Sequence, residues 1–160
     1  MDSVSTTEPR DRRRSANAIK AGMRELGVQL SLLNRQVGAR AGVNDPDLDV
    51  LDMIVRHGPL SPSALARLAR LHPATMTGVL DRLEQGGWIV RERDANDRRA
   101  VVVRAQKAKS VDILRLYSGM NSEMDGILDG YDEGQLVAIA DFIERTTEAG
   151  RLSVEQLAEQ

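Results

Sequence analysis

Two apolar stripes with the spacing of a coiled coil flank the middle of this chain and limit its fold more than any other feature. The first runs from Ile19 to Val37 and the second from Ile113 to Tyr131. In both stripes the apolar residues alternate four and three positions apart, which averages 3.5 residues and is typical of a seam along a long helix. A last helix adds Leu136, Ile139, Ala140 and Ile143.

Two such seams in a chain of 160 residues can pack on each other or on a second copy of the chain. With the last helix they supply more apolar surface than one lobe needs. Because symmetric dimers are the commonest oligomers, the surplus predicts a homodimer.

Between the stripes, the sequence predicts three shorter helices followed by two β-rich runs. The first helix covers 47–56. Ser61 is a good N-cap ahead of Pro62 for the second, Pro73 suits the first turn of the third, and Gly86 with Gly87 ends it. The runs at 88–91 and 100–104 predict a hairpin with a long, charged loop at 92–99. Helices and hairpin in this order predict a winged helix-turn-helix.

The predicted fold class is therefore mainly α with a small β-hairpin: a winged helix-turn-helix with long flanking dimerisation helices. We expect a disordered tail at 1–14, an N-terminal dimerisation helix at 15–43, a DNA-binding domain at 44–105 and C-terminal dimerisation helices at 106–160. Gly38, Gly42 and the turn at 44–46 are expected to end the N-terminal helix. The basic run at 10–14 is interpreted as a solvated tail or as an arm that seeks DNA.

Composition excludes several kinds of site. The chain has no cysteine, which rules out thiolate metal sites, cysteine nucleophiles and thiol redox switches. No stretch has the length of apolar sequence that a membrane span needs, and the charged first 18 residues do not resemble a secretory signal. The expected location is the cytoplasm, with no membrane partner.

The charge is divided along the chain although the net charge is only −2. Residues 61–104 carry eight arginines and five acids, whereas residues 121–160 carry ten acids and two arginines. A basic middle and an acidic end are typical of a DNA-binding lobe joined to a distal lobe. A solvated surface alone could also produce this division.

The third helix of the middle segment is predicted to enter the major groove of duplex DNA, where residues near its N-terminus reach base edges. Arg82, one turn further along, is expected to reach the phosphate backbone. The predicted wing carries Arg93, Arg98 and Arg99 around its loop, and an arginine at such a tip can enter the minor groove. The residues predicted to contact DNA are Ser61, Ala74, Thr75, Thr77, Gly78, Arg82, Arg98 and Arg99.

The segment from Leu60 to Val103 resembles the MarR family, the multiple-antibiotic-resistance type of transcription regulators. The matching residues are Gly58-Pro59-Leu60-Ser61, Leu65-Ala66, Thr75-Met76-Thr77, Leu80-Asp81-Arg82-Leu83-Glu84, Gly87-Trp88-Ile89-Val90-Arg91 and Asp97-Arg98-Arg99. The resemblance implies a homodimer that binds a pseudo-palindromic operator, usually represses, and is often released by a small aromatic or phenolic acid.

By position, the resemblance also implies roles for single residues. Thr75 and Thr77 lie on the recognition helix, Arg99 enters the minor groove, Asp97 holds that arginine in place, and Arg91 braces the wing.

This sequence departs from the family pattern at three places. Gly78 stands where a basic residue is common, so an arginine-guanine contact from that position is absent. His72 takes the N-cap place of a serine or aspartate, and Ala105-Gln106 replaces a common Leu-Thr.

Other kinds of site fit the sequence poorly. Asp45, Asp47 and Asp49 imitate the start of a calcium loop, but the sixth and twelfth positions hold Val50 and Arg56. Acidic residues around a helix start are the better interpretation.

The two histidines are interpreted as a turn residue and a helix start rather than metal ligands, so neither a metal nor another cofactor is expected. No catalytic motif is present, which makes an enzyme the weakest hypothesis. The remaining alternative is a winged-helix module that binds proteins and not DNA.

Overall fold

The computed structural model describes residues 8–94, 97 and 100–158. The described elements are α1 (Glu8–Ala41), α2 (Asp45–His57), α3 (Pro62–Ala69), α4 (Pro73–Gln85), β1 (Ile89–Arg93), β2 (Val101–Ala105), α5 (Lys107–Leu116), α6 (Ser118–Leu128) and α7 (Glu133–Ala158). The chain divides into two compact units, one ending at Leu116 and the other beginning at Tyr117. The winged helix-turn-helix and the mainly α fold class are confirmed.

Aliphatic side chains from α2, α3, α4 and the hairpin form the core of the first unit. Its fully buried members include Leu51, Ile54, Leu65, Met76, Leu80, Leu83, Ile89 and Val103. On α2 and α4 these residues recur three or four positions apart, so each of these helices turns one face to the core and the opposite face to solvent. The core therefore fixes which face of α4 is exposed.

The three core helices begin with a capping side chain and a proline in the first turn, as the sequence predicts for α3 and α4; α2 begins at Asp45, two residues before its predicted start. Asn44 caps α2, Ser61 caps α3 and His72 caps α4, each by accepting a hydrogen bond from a backbone N–H of the first turn. Gly86 caps the end of α4, and Gly87 then turns the chain with a φ of +70°. The predicted start signals of α3 and α4 and the predicted stop signal of α4 are confirmed.

The hairpin is antiparallel, with Ile89 opposite Ala105 and Arg93 opposite Val101. The hairpin also pairs with a third segment, which the sequence analysis did not predict. Leu60 pairs with Val103 through two backbone hydrogen bonds of 3.3 and 2.8 Å. This single bridge fixes the segment ahead of α3 to the hairpin.

Helix α1 begins earlier than its predicted bound of 15 and ends two residues before its predicted bound of 43. It begins at Glu8, so residues 8–14, which we expected in a disordered tail, are helical, and residues 1–7 lie outside the described residues. No strong helix breaker follows Pro9, and proline is tolerated in a first turn. Gly38 does not end the helix; Gly42, with a φ of +70°, follows its last residue.

Gly38 is required inside α1 by a close approach. A Cβ at this position would lie 2.6 Å from the carbonyl oxygen of Val43. The backbone after α1 folds back at this point to donate a hydrogen bond from Val43 N–H to Gly38 oxygen. The glycine therefore lets α1 pack closely against the start of α2.

The second apolar stripe is interrupted at Tyr117. Helix α5 ends at Leu116 in the first unit, and α6 begins at Ser118 in the second. The predicted last helix is confirmed as α7, which carries Leu136 to Ile143. Within the described part of the second unit no residue is buried, and Ile127, Val137 and Leu157 are each more than 60% exposed.

Candidate nucleic-acid interface

The N-terminal half of α4 presents the side chains that the sequence predicts will contact DNA. Ala74, Thr75 and Thr77 are exposed, whereas Met76 and Val79 anchor the same turns in the core. The Thr77 hydroxyl donates a hydrogen bond of 3.0 Å to the Pro73 carbonyl oxygen. The Thr77 hydroxyl can therefore still accept a hydrogen bond from a ligand, and the Thr77 methyl group can make an apolar contact.

His72 sets the direction in which α4 begins. Its Nδ1 accepts a hydrogen bond of 3.2 Å from the Ala74 N–H, which satisfies one of the free donors of the first turn. The interpretation of His72 as a helix start is confirmed. In the described ranges no group of three or more His, Asp or Glu side chains is arranged to hold a metal ion.

Ser61 is half-buried and serves as the cap of α3. Its Oγ accepts from the Ala64 N–H at 3.2 Å and lies 3.1 Å from Ser63 Oγ. A DNA contact by Ser61 stays a prediction, and any such contact would share the oxygen that already caps the helix.

Arg82 binds a buried carboxylate of α2. Its Nε donates to Asp47 Oδ2 at 2.8 Å and its Nη2 donates to Asp47 Oδ1 at 2.7 Å, so the pair is bidentate. The hydrogen bond to Asp47 raises the pKa of the Arg82 guanidinium. Asp47 is only 3% exposed, whereas the Arg82 side chain is 53% exposed. The guanidinium is therefore held at one end and open to solvent at the other.

Arg91 links the first wing strand to α4. Its Nη2 donates to Asp81 Oδ1 at 2.7 Å and its Nη1 donates to Glu84 Oε2 at 2.6 Å. The backbone N–H of Arg91 also donates to Glu84 Oε1 at 3.3 Å. The hydrogen bond to Asp81 is the main reason why the pKa of Arg91 is raised. This geometry is what a brace between wing and recognition helix requires.

The wing loop closes on itself beyond the strands. The Asp94 N–H donates to the Ala100 oxygen and the Ala100 N–H donates to the Asp97 oxygen, both at 2.9 Å. Asp94 also accepts the Asp97 N–H on its Oδ1 at 3.2 Å, which is a local turn typical of aspartate. Arg98 and Arg99 lie outside the described residues, so their roles at the wing tip stay predictions.

Trp88 and Lys109 tie the base of the wing to α5. Lys109 Nζ lies 4.7 Å from the centre of the Trp88 ring and donates to the Gly86 oxygen at 2.7 Å. A Cβ at Gly86 would lie 2.7 Å from the Trp88 ring, so the glycine makes room for the indole. The cation above the ring and the carbonyl bond fix the start of α5 to the end of α4.

The sequence analysis did not predict the ion-pair roles of three acidic residues of this interface. Asp81 and Glu84 stand three positions apart on one face of α4, and this spacing was a usable signal for a shared cation. Asp47 carried no comparable signal, because its partner Arg82 lies 35 positions away. The acidic run at 45–49 does lie at the helix start, as interpreted.

Comparison with known proteins gives results in agreement with this geometry. The family model described as MarR family matches residues 43–101. The HTH-type transcriptional regulator YcgE of Bacillus subtilis is 28% identical over 134 residues, which cover 84% of this chain and 87% of that protein.

Solved structures show the same fold. A MarR family protein from Bacillus stearothermophilus has a TM-score of 0.65 at 17% identity and covers 87% of this chain and 97% of its own. NadR in complex with 4-hydroxyphenylacetate has a TM-score of 0.59 at 21% identity, covering 80% and 91% of the two chains. None of the helices in the described ranges combines the length and apolar character of a membrane span.

Proposed function

We propose that this chain, which matches the MarR family model over residues 43–101, is a DNA-binding transcription regulator of that family and acts as a homodimeric repressor of a pseudo-palindromic operator, released by a small ligand. A regulator that binds duplex DNA acts where that DNA is, so the proposed compartment is the cytoplasm. No catalytic step belongs to this function.

One observation carries the proposal. The first two turns of α4 turn Ala74, Thr75 and Thr77 outward from a rigid core, and Arg91 holds the wing against the same helix. A recognition helix and a wing fixed to each other can engage the major groove and the adjacent backbone together. The excess of arginine over acidic residues in 61–104 favours the approach of phosphate.

The wing tip is proposed to enter the minor groove through Arg99, with Arg98 beside it. Asp97 is proposed to hold the Arg99 guanidinium before DNA arrives. This would reduce the rotamer entropy lost on binding, which reaches roughly 2 kcal/mol for a free arginine. The hydrogen bonds of Asp97 support the assignment, because its N–H donates to Asp94 Oδ1 and its carbonyl oxygen accepts from the Ala100 N–H.

The homodimer is proposed to form through α1 and the helices after the hairpin. Apolar residues are exposed along these helices in the single chain, and burying them gives roughly 25 cal/mol for each Å² removed from water. They include Ile19, Leu26, Val28, Leu30 and Leu32 on α1, Val111 and Leu114 on α5, Met124 and Ile127 on α6, and Val137, Phe142 and Ile143 on α7.

The ligand is proposed to be a small aromatic or phenolic acid. NadR, a structural neighbour of this chain, is complexed with 4-hydroxyphenylacetate, which is such a compound. The test is a thermal shift with a panel of phenolic and aliphatic carboxylic acids, in which selective stabilisation by phenolic members is expected. Equal response to both classes would refute the ligand class.

A salt titration of binding to random duplex DNA tests the function itself. Phosphate contacts release counterions, so the affinity should fall steeply as salt increases. Absence of binding at low salt would instead support the alternative, a winged-helix module that binds proteins only.

A further inference from the structure

Position 78 of the recognition helix leaves a gap next to the Arg82 guanidinium. Thr75, Gly78 and Arg82 stand three and four positions apart, so they share one flank of α4. Gly78 contributes no side chain to this flank, although it stands among residues that are exposed to solvent. Apart from the two neighbouring residues and the backbone of α4 itself, the nearest atom to a Cβ at Gly78 would be Nη1 of Arg82, at 3.5 Å.

The Arg82 side chain reaches this position because Asp47 holds the rest of the guanidinium. Asp47 receives Nε and Nη2 of Arg82 on its two carboxylate oxygens. It is itself fixed by Asn44, whose Nδ2 donates to Asp47 Oδ2 at 3.0 Å and whose Oδ1 accepts the Asp47 N–H at 2.9 Å. A buried carboxylate with three donors has little freedom, and the planar guanidinium bound to it shares this rigidity.

The third nitrogen, Nη1, therefore points away from Asp47 and over the backbone of Gly78. An arginine in this state has lost its rotamer freedom before any ligand arrives. The Arg82 side chain is 53% exposed, so the N–H donors that Asp47 does not take are open to solvent.

We propose that Arg82 donates from Nη1 to a phosphate of the operator across the gap at Gly78, and that Asp47 is the positioning residue for this contact. The inference rests on the proposed function, because it requires α4 to lie in the major groove. The absence of a basic side chain at position 78 is then compensated by the guanidinium of Arg82. A phosphate is the expected acceptor because Arg82 lies two turns beyond the first residues of α4, which reach base edges.

The first arm of the test measures the affinity of Arg82→Met for an operator selected with the wild-type dimer. The loss of one phosphate contact should weaken binding roughly tenfold and reduce the slope of log affinity against log salt by about 1. The loss should be similar for every single-base variant of the operator. A loss confined to one base pair would overturn the phosphate assignment.

The second arm tests whether a side chain at position 78 weakens operator binding by blocking Arg82. Gly78→Gln replaces a glycine by a better helix former, so the fold should be retained, but its side chain would occupy the space in front of Nη1. It should weaken operator binding by several-fold in the wild-type background and by less than about twofold in the Arg82→Met background. Equal losses in both backgrounds would show that the two positions act independently and would overturn the proposal.

The third arm tests positioning by Asp47→Asn. Removal of an acid near DNA should strengthen binding if only charge matters. If Asp47 aims the guanidinium, operator affinity should fall by a similar factor for every single-base variant of the operator, and it should not fall further in the Arg82→Met background. Tighter operator binding would contradict the proposal, and the melting temperature of the variant shows whether the protein used is folded. If this variant does not fold, the Gly78→Gln and Arg82→Met cycle decides alone.

Arg145→Gln provides a matched control, since it breaks an arginine-aspartate pair of 3.5 Å on α7, outside the unit that contains α4. Its operator affinity should equal that of the wild type. A wild-type dimer that binds no DNA would refute the proposed function together with this inference. A wild-type dimer that binds an operator, with Gly78→Gln and Arg82→Met additive, would refute this inference alone.

Discussion

Removal of the brace at Arg91 should destabilise the DNA-binding lobe by about 1 to 2 kcal/mol. In Arg91→Met, the wing loses two charge-assisted hydrogen bonds to α4, to Asp81 and Glu84. The arginine side chain is 27% exposed, but the two carboxylates are 48% and 40% exposed, so solvent screens much of the attraction. Pairs with this exposure contribute roughly 0.2 to 1 kcal/mol each, and methionine retains the packing of the aliphatic stem.

Urea unfolding at one fixed protein concentration measures this effect, because the stability of a dimer depends on concentration. Trp88 is the only tryptophan, is 8% exposed and directly precedes β1, so its fluorescence reports on the base of the wing. A double-mutant cycle of Arg91→Met with Glu84→Gln isolates the pair, and we expect a coupling of about 0.5 to 1 kcal/mol. At a temperature where the variants are folded, Arg91→Met should also weaken operator binding.

Arg104→Met is the matched control, since Arg104 pairs with Glu92 across the same hairpin at 3.3 Å and both partners are about half exposed. Its cost should be smaller, at most about 0.5 kcal/mol. A coupling energy of zero between Arg91 and Glu84, or an equal cost for Arg91→Met and Arg104→Met, would refute the bracing role.

Three further outcomes are expected from the same structure. Gly38→Ala should lower the free energy of unfolding by roughly 1 to 3 kcal/mol, because its Cβ would meet a backbone oxygen at 2.6 Å. Gly27→Ala on the same helix has open space around its Cβ and should raise the free energy of unfolding by up to about 1 kcal/mol. Urea denaturation in which both changes have the same sign would contradict this. Burial and two neighbouring aspartates raise the pKa of Asp49 above its ordinary 3.8, so its charge destabilises the fold at neutral pH. Asp49→Asn should therefore raise the melting temperature at pH 7, and the gain should shrink as pH falls toward 3.8; a gain independent of pH would argue against this cause. Leu30→Lys with Leu33→Lys should give monomers or unfolded chain in sedimentation, and an intact dimer would place the interface elsewhere.

Local signals in the sequence were sufficient for the helices and turns around the recognition helix. Ser61 with Pro62, and Gly86 with Gly87, act through the backbone groups next to them, so their effect can be inferred from a few neighbouring residues. The wing hairpin follows from two β-rich runs separated by a polar loop.

Features that depend on distant residues were not predictable in the same way. Only one residue ahead of α3, Leu60, takes part in the bridge to Val103, and a single residue gives no periodic pattern in the sequence. The Asp47–Arg82 pair joins two helices, and its existence depends on how the core sets them side by side. The helical start at Glu8 and the interruption at Tyr117 reflect local preferences that the apolar spacing does not report.

Selection of bound sequences from a random duplex library with the wild-type protein tests the central claim most directly. A two-fold dimer presents two recognition helices to one face of the duplex, so the enriched DNA should contain two inverted half-sites centred roughly 10 base pairs apart. A single asymmetric half-site would contradict the dimeric docking, and no enrichment over the input library would contradict sequence-specific binding of DNA.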